Sequence, residues 1–383
     1  MFERTKSIQL SVIKQMELLA SRHANVVSLA QGIPSFDTPE TIKRRAAKAL
    51  EEGVVAKYSL SPGLPELREL IELSLTKDNM FYDWQSEIIV TAGSIEGLTA
   101  TLLAITVAGD EIIIPDPSYT SYREVIRLCG CEPVYAPLDE KNNWSFDIAN
   151  LEKLITPKTK AIFYCNPNNP TGTVYTKEQL LKLASIAEKY NLFIISDEAY
   201  KDFIYDKIDY FTLGQIARYR KRFIRVFSFS KTYAMTGWRV GYVHSDASII
   251  KEIMKVHDCL VTCAPVISQY AAMGALEMGD EWVLYFKKQY EKRRDMVCEK
   301  LDKLSDVFSY VKPTSAYFVM PKYNFIKPSF ELAVDILDKV KLALVPGSAF
   351  GPSGENHLRI SFGRKEEDII EGMNRLEKYF KEL

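Results

Sequence analysis

The chain has 383 residues, 47% of them hydrophobic, which is enough for two domains or for one large domain with a smaller one attached. Lys and Arg number 49 against 50 Asp and Glu, so the net charge of −1 provides no electrostatic basis for binding nucleic acid or an acidic membrane surface. Six cysteines in this length do not form a disulfide framework, and no apolar run approaches the ~20 residues of a membrane span.

Charged residues are spread through the first 25 positions, which argues against a secretory signal peptide. We therefore expect a cytoplasmic protein with reduced cysteines. The cysteine spacings match no zinc motif, so we expect no metal site.

The N-terminal part contains two predicted helices. Residues 8 to 20 carry apolar side chains at helical spacing, which predicts an amphipathic helix. This helix either packs on the core or covers a substrate. Further on, Thr38 precedes Pro39 and Glu40, a pattern that predicts a helix opened by a hydroxyl N-cap.

A repeated strand and helix pattern follows. Apolar strands are predicted at residues 87–90, 111–114, 160–164, 192–196, 223–227 and 239–243. Helical stretches separate most of them, so we expect a mainly parallel sheet with helices on both faces. Ligands of such sheets bind outside the carboxyl ends of the strands. The residues that follow strand ends, and that we expect in one pocket, are Ser94, Tyr119, Asn169, Asp197, Ser228 and Lys231.

The pattern changes after about residue 275. A long charged helix at 282–304 precedes short strands at 317–320 and 357–362, with helices near 329–340 and 365–382. This order predicts a second, smaller α+β domain. We expect residues 1–45 to form an N-terminal segment of the small domain, 46–275 the large domain that contains this pocket, and 276–383 the small C-terminal domain.

The most informative stretch is SFSKTYAMTGWRVG at 228–241. Its lysine, Lys231, follows a buried strand, and a lysine in such a place can lose its proton and attack a carbonyl. Ser228, Ser230 and Arg239 are suited to binding a phosphate. An aldehyde cofactor that carries a phosphate is pyridoxal 5′-phosphate (PLP). Taken alone, Lys231 would instead be read as a surface lysine in a loop.

Several other motifs occur in order with it: QGIPSF at 31–36, TAGS at 91–94, PSY at 117–119, NPNNPTG at 166–172, SDEAY at 196–200 and HLRISFG at 357–363. Over nearly its whole length the chain resembles the class I/II aminotransferases, the aspartate aminotransferase family of fold type I PLP-dependent enzymes. The resemblance implies an α/β fold in which a mainly parallel seven-stranded sheet is covered by helices, plus a smaller α+β domain. It implies transfer of an amino group from an L-amino acid (neutral, aromatic or aspartate-like) to a 2-oxo acid such as 2-oxoglutarate.

The resemblance also implies roles for the residues that meet the cofactor ring. Lys231 carries PLP covalently and moves the proton during transfer, and Asp197 pairs with the ring nitrogen. A buried aspartate at this position could also be a helix cap. Asn169 and Tyr200 bind the phenolic oxygen, although Asn169 alone would be read as a turn residue. Tyr119 stacks on the ring, and the implied catalytic group is Lys231, Asp197 and Tyr200.

A second set of implied roles concerns the phosphate. The resemblance implies that the phosphate is bound by Gly93, Ser94, Ser228, Ser230 and Arg239, and by the main chain of Ile95. Other members carry a polar residue at the position of Ile95. Tyr58 matches a tyrosine that reaches the phosphate of the neighbouring subunit, which implies a homodimer with shared active sites.

For the substrate, the resemblance implies that Arg359 binds the α-carboxylate, with Gly32 and Asn169 close by. The alternative for Arg359 is a structural salt bridge. The resemblance also implies that the N-terminal segment at residues 8–13 folds over the pocket. This segment and Ile95 are largely apolar. We therefore expect an apolar or aromatic side chain to be accepted readily, with glutamate and 2-oxoglutarate as one partner pair.

A dicarboxylate would need a cation or hydrogen-bond donor at its distal end. Gln9 and Ser11 are possible donors. The possible cations, none of them assigned, are Arg4, Lys14, Arg22, Arg123 and Arg127.

Two other functions remain open at this point. A PLP-dependent lyase of the β-elimination or cyclopropane-forming type would use the same cofactor residues. A ligand-sensing regulator with this fold would carry an added DNA-binding domain, and residues 1–32 are too short and too weakly basic for one.

Overall fold

The structure is a computed structural model that describes residues 5, 6, 8 and 10–381. Two of the candidates for the distal end of a substrate, Arg4 and Gln9, lie outside the described residues. The helices are α1 Val12–Ala20, α2 Glu40–Glu51, α3 Pro65–Lys77, α4 Ser94–Ile105, α5 Thr120–Leu128, α6 Ile148–Lys153, α7 Lys177–Lys189, α8 Phe229–Thr232, α9 Ala247–Val261, α10 Val266–Glu277, α11 Glu281–Asp302, α12 Ser329–Val340 and α13 Glu366–Lys381.

The strands are mostly short outside the central sheet. They are β1 Val27–Ser28, β2 Ile88–Thr91, β3 Glu111–Asp116, β4 Glu132–Asp139, β5 Ser145–Phe146, β6 Thr159–Cys165, β7 Phe193–Asp197, β8 Phe223–Ser228, β9 Gly241–His244, β10 Phe308–Ser309, β11 Phe318–Val319, β12 Lys322–Tyr323, β13 Leu342–Ala343, β14 Val345–Pro346 and β15 Leu358–Ser361.

The central sheet has the strand order β2-β9-β8-β7-β6-β3-β4-β5. Pairing is parallel from β8 across to β4, whereas β9 is antiparallel to both its neighbours and β5 is antiparallel to β4. The expected mainly parallel α/β fold is confirmed, but the expected number of seven strands is wrong. The sheet has eight strands. Sequence reasoning missed β4, which contains Pro133 and Pro137, and β5, which is only two residues long.

Helices cover both faces of this sheet. Neighbouring residues along β7 belong to different apolar clusters, since Ile195 packs into one and Ile194 into another. The same alternation separates Ile112 from Ile113 on β3. Strands buried on both faces are near-continuous apolar runs, which explains why these strands were visible in the sequence. Their carboxyl ends form one edge of the sheet.

The C-terminal part contains smaller sheets. β11, β15 and β14 form an antiparallel sheet in which Arg359 of β15 is opposite Val345 of β14. β1 pairs in parallel with β13, so the N-terminal segment joins the C-terminal part of the chain. This pairing brings residues 29–32 close to Arg359.

Two helix starts are capped in different ways. Thr176 and Gln179 form a capping box that begins α7. Thr38 is not the N-cap of α2; Pro39 is, and the Thr38 hydroxyl instead donates to the carbonyl oxygen of Ala234 at 2.7 Å. The long-range bond to Ala234 takes the hydroxyl that local capping would have used.

The first helix, α1, begins at Val12, about one turn later than the pattern at residue 8 predicted. Among the helices of the described residues, none combines the length and apolar character needed to cross a membrane.

Candidate active site

A cavity of about 390 Å³ opens at the carboxyl edge of the central sheet. Its volume suits a small-molecule ligand. It brings together every residue that the sequence assigned to cofactor or substrate, except Gly93 and Tyr58. Its lining residues are Ile13, Lys14, Glu17, Gln31, Gly32, Ile33, Ser94, Ile95, Tyr119, Tyr122, Asn169, Asp197, Ala199, Tyr200, Ser228, Ser230, Lys231, Thr236, Arg239 and Arg359.

Lys231 lies inside this cavity, on the short helix α8 that follows β8. Its ammonium group donates a hydrogen bond to the carbonyl oxygen of Gly32 at 2.7 Å. Burial, together with the smaller effects of the nearby cations Arg359 and Arg239, lowers the pKa of Lys231 to about 8. The alternative reading of a surface lysine is therefore wrong. The amine is accessible in its neutral, nucleophilic form near neutral pH.

Asp197 is the last residue of β7, and its side chain is buried in the cavity wall. Its Oδ2 accepts from the Tyr122 hydroxyl at 2.9 Å, and its Oδ1 accepts from the backbone N–H of Ala199 at 3.1 Å. Burial raises the pKa of Asp197 to about 6, although both hydrogen bonds oppose this rise. The Ala199 bond is a contact within the local turn. No helix of the described residues begins at this point of the chain, so the helix-cap alternative is wrong; the Asp197 carboxylate lines the cavity.

Arg359 is fully buried in strand β15, and its guanidinium carbon lies 4.4 Å from the centre of the Phe318 ring and 4.9 Å from that of Phe350. It donates to Asn169 Oδ1 at 3.2 Å and to the carbonyl oxygen of Ala30. Within the part of the chain that the structure describes, Arg359 has no carboxylate partner, and its Nε has no hydrogen-bond partner. Burial lowers its pKa to about 10. An anion entering the cavity would offset that burial.

Asn169 connects Arg359 to Tyr200. While its oxygen accepts from the guanidinium, its amide nitrogen donates to the Tyr200 hydroxyl at 3.4 Å. Both residues are buried. The cavity wall therefore presents hydrogen-bonding groups on the side of Arg359.

Another group of lining residues comes from the N-terminus of α4, from Ser228 and Ser230, and from Arg239. The residue before α4, Gly93, has no side chain with which to cap the helix, and its φ of +86° is in the left-handed region. A Cβ at Gly93 would collide with the guanidinium of Arg239. Gly93 therefore packs against the Arg239 side chain and does not itself line the cavity. Free helix N–H groups and an arginine are suited to binding a phosphate.

The class I and II aminotransferase family matches this chain over residues 24–376. The chain belongs to this family. An aspartate aminotransferase of Pyrococcus abyssi is 37% identical over 386 residues, covering 100% of this chain and 98% of the relative. Aromatic-amino-acid aminotransferase 2 of Thermococcus litoralis is 35% identical over 384 residues, covering 99% and 98%. The solved structure of aspartate aminotransferase from Thermus thermophilus with maleate has a TM-score of 0.93 at 30% identity, over 99% of both chains.

Membership of the aminotransferases implies the cofactor PLP and amino and 2-oxo acids as substrates. It does not by itself show which residues of this aminotransferase bind them. The structural neighbours confirm the fold type I architecture.

Sequence reasoning missed several cavity residues of this aminotransferase. Tyr122 is three residues after Tyr119, and a pair at this spacing on one helix face could have suggested it. Glu17 was also missed; it lines the cavity from α1, on the same helix face as Lys14, which the sequence had offered as a candidate cation. The Gly32 carbonyl is 199 residues from Lys231 in sequence. No local signal could have paired those two.

Tyr58 is not in the cavity. It is 83% exposed and lies in a separate surface depression with residues 263–266. The expectation that Tyr58 contacts the phosphate bound by a neighbouring subunit stays a prediction.

Proposed function

We propose that this chain is a PLP-dependent aminotransferase that moves an amino group from an L-amino acid to a 2-oxo acid such as 2-oxoglutarate. The observation that carries the proposal is Lys231, a lysine with a lowered pKa inside the cavity between Asp197 and two arginines. Family membership supplies the reaction class. The cavity supplies residues that fit each part of the cofactor and the substrate.

The residues present fit PLP at both ends. Asp197 is a buried carboxylate with no cation bonded to it among the described residues, and it would pair with the protonated ring nitrogen. Tyr119 would stack on the ring, and Asn169 and Tyr200 would bind its phenolic oxygen. The phosphate would be held by main-chain N–H groups of Ser94 and Ile95 and by the side chains of Ser94, Ser228, Ser230 and Arg239.

When bound, PLP supplies an electron-withdrawing ring that stabilises negative charge at the substrate α-carbon. The chain's own residues supply the rest. Lys231 would hold the cofactor and, once its amine is free, would take the proton from the substrate α-carbon as a base and deliver it to C4′ of the cofactor as an acid. Its pKa of about 8 allows both roles near neutral pH. The Gly32 carbonyl, at 2.7 Å from Nζ, holds the free amine in the cavity.

Arg359 would bind the α-carboxylate common to all amino acid substrates. The rings of Phe318 and Phe350 lie close to the guanidinium, and its Nε has no hydrogen-bond partner among the described residues. Arg359 therefore gives general binding of amino acids without selecting a side chain.

Selectivity would come from the part of the cavity near α1. There Ile13, Ile33 and Ile95 are apolar, whereas Lys14 and Glu17 add one charge of each sign. Of the five basic candidates for a distal carboxylate, Lys14 is the one whose side chain lines the cavity among those described. Arg123 pairs instead with Glu124 at 2.7 Å.

The test is to measure kcat/KM for phenylalanine, tyrosine, kynurenine, alanine, methionine and aspartate, each with 2-oxoglutarate, while following the cofactor's absorbance. We expect turnover with neutral and aromatic donors. Lys231→Ala should abolish turnover, and unchanged transamination in that variant would exclude the proposed role. A preference for aspartate of more than about a hundredfold, near 3 kcal/mol, would contradict the expectation that the cavity accepts neutral and aromatic side chains readily.

The same assay distinguishes the lyase alternative. A lyase would release pyruvate and ammonia from a suitable donor when no 2-oxo acid is added, whereas the proposed aminotransferase needs the acceptor for repeated turnover. Ammonia release at the transamination rate without an acceptor would replace the proposal with the lyase.

A further inference from the structure

The carboxylate of Asp197 is bonded at both of its oxygens. The Tyr122 hydroxyl donates to Oδ2 at 2.9 Å, and the Ala199 N–H donates to Oδ1 at 3.1 Å. The Ala199 bond comes from the adjacent turn, but Tyr122 reaches Asp197 from helix α5, 75 residues away in sequence. Two donors on different oxygens fix the plane of a carboxylate as well as its position.

The ring of Tyr122 is buried and packs against two other aromatic rings. The side chain is 1% exposed, and its ring packs on Phe163 with centroids 4.2 Å apart. On its other side it meets the ring of Tyr119 edge to face, at 5.3 Å and 81°. One side chain thus contacts both Asp197 and Tyr119, the two residues that would hold the cofactor ring from its nitrogen and from its face.

We propose that Tyr122 is a positioning residue for the cofactor ring: its hydroxyl orients the Asp197 carboxylate toward the ring nitrogen, and its ring sets the tilt of Tyr119. This inference rests on the proposed function, since it concerns the same site. Tyr122 itself need not touch the substrate. It acts through Asp197 and Tyr119.

The surroundings of Asp197 explain why the hydroxyl matters. Burial raises the pKa of this carboxyl to about 6, and the Tyr122 bond is the largest effect that opposes the rise. Lys231 also favours the charged form, whereas Glu198 disfavours it. The uncharged thiol of Cys165 and the phenol of Tyr200 face the same carboxylate. Without the Tyr122 hydroxyl, Asp197 would become neutral at a higher pH and lose its orientation.

The experiment compares Tyr122→Phe with Tyr175→Phe. Both substitutions remove one hydroxyl from a fully buried tyrosine and keep the ring, but the Tyr175 hydroxyl has no hydrogen-bond partner among the described residues and lies outside the cavity. The readout is the dissociation constant of PLP, measured by equilibrium dialysis of cofactor-free protein from pH 5.5 to 8.5. The pH at which affinity is half lost is read from the same series.

Tyr122→Phe should weaken PLP binding about tenfold near pH 6, equivalent to about 1.4 kcal/mol. It should also move the acid-side loss of affinity to higher pH, so the deficit shrinks toward pH 8. Tyr175→Phe should match the wild type in both respects. A merely structural contribution of Tyr122 would lower affinity equally at every pH or not at all, and either result would overturn the proposal.

A double variant shows whether a loss of affinity in Tyr122→Phe comes from the bond to Asp197 or from a general disturbance of the fold. In the Asp197→Asn background the hydroxyl no longer has a charge to orient, so adding Tyr122→Phe should change PLP affinity by less than about twofold. An equal loss in both backgrounds contradicts the proposal. If the wild-type chain binds no PLP at any pH, the proposed function fails instead, which separates the two conclusions.

Discussion

At the scale of single residues, the charge of Asp197 opposes folding of the cofactor-free chain. Burial raises its pKa from 3.8 to about 6, and a difference of this size is worth about 3 kcal/mol. The unfolded chain ionises this group above pH 4, but the folded chain does so only above pH 6. The penalty is therefore absent at low pH, grows as the pH rises from 4 to 6, and is complete at pH 7.

Asp197→Asn should consequently stabilise the cofactor-free protein at pH 7, by roughly 1–3 kcal/mol of unfolding free energy, with little gain at pH 4. Urea unfolding at the two pH values measures this. Turnover should fall by several orders of magnitude, because the charge opposite the ring nitrogen is lost. A loss of activity below tenfold would mean that Asp197 serves only as a turn cap.

Arg359 is the residue that we expect to bind the α-carboxylate of the substrate. Arg359→Lys keeps a positive charge but loses the planar fork and the contacts with Phe318 and Phe350. We expect KM to rise for donor and acceptor alike, with kcat/KM at least about tenfold lower, near 1.4 kcal/mol. The measurement is steady-state kinetics with three donors of different side chain.

A matched control for this substitution is Arg293→Lys. Arg293 is also buried and lies over the rings of Phe36 and Tyr290 at 4.9 and 5.7 Å, but it does not line the cavity. Its replacement should leave KM unchanged. If the two variants raise KM equally, Arg359 acts through packing and does not bind the α-carboxylate.

At the scale of elements, α1 contributes two charged side chains to the cavity, and we expect them to influence which substrates the cavity accepts. Lys14 and Glu17 line the cavity from one face of α1, and neither forms a salt bridge with any of the described residues. We expect Lys14→Met to lower kcat/KM for aspartate relative to alanine about two- to fivefold, as an exposed charge pair would. Glu17→Gln should change the same ratio in the opposite direction.

The ratio isolates the distal end of the substrate, since aspartate and alanine share the α-carboxylate. Arg22→Met is the control, because Arg22 follows the same helix without lining the cavity. If Lys14→Met and Arg22→Met give the same ratio as the wild type, another group recognises a distal carboxylate.

At the scale of the whole molecule, the surface around Tyr58 supports the proposed dimer. Val54, Tyr58, Leu60 and Leu260 are all exposed apolar or aromatic side chains on neighbouring segments. We propose that this surface meets a second copy and that Tyr58 completes the partner's phosphate site. Tyr58→Ala and Lys231→Ala, each inactive alone, should then regain some activity when mixed. No recovery, with subunit exchange shown independently, would argue against a shared site.

We also propose a division into a large and a small domain. The pairing of β1 with β13 supports placing the N-terminal segment with the C-terminal part. A helix crosses the expected boundary at residue 45, since α2 runs from Glu40 to Glu51 and packs on α10. The division therefore belongs before α2.

The sequence by itself determined six strands of the central sheet, in their order along the chain, and the residues at their ends. Buried parallel strands are continuous apolar runs, and residues at their carboxyl ends share one edge, so Asp197, Ser228 and Lys231 could be placed together without coordinates. The β4 strand was not predicted, because prolines are uncommon within strands, although β4 pairs regularly with β3. Thr38 was misassigned because a distant carbonyl competed for its hydroxyl.

Only the tertiary structure decided which distant groups meet. The bond from Tyr122 to Asp197, the carbonyl of Gly32 beside Lys231, and the side of α1 that faces the cavity each depend on how separate elements pack. Local pattern reports which face of an element is apolar. It carries no information on the rotation and distance between elements far apart in sequence, and those two quantities place Lys14, rather than Arg22, at the cavity.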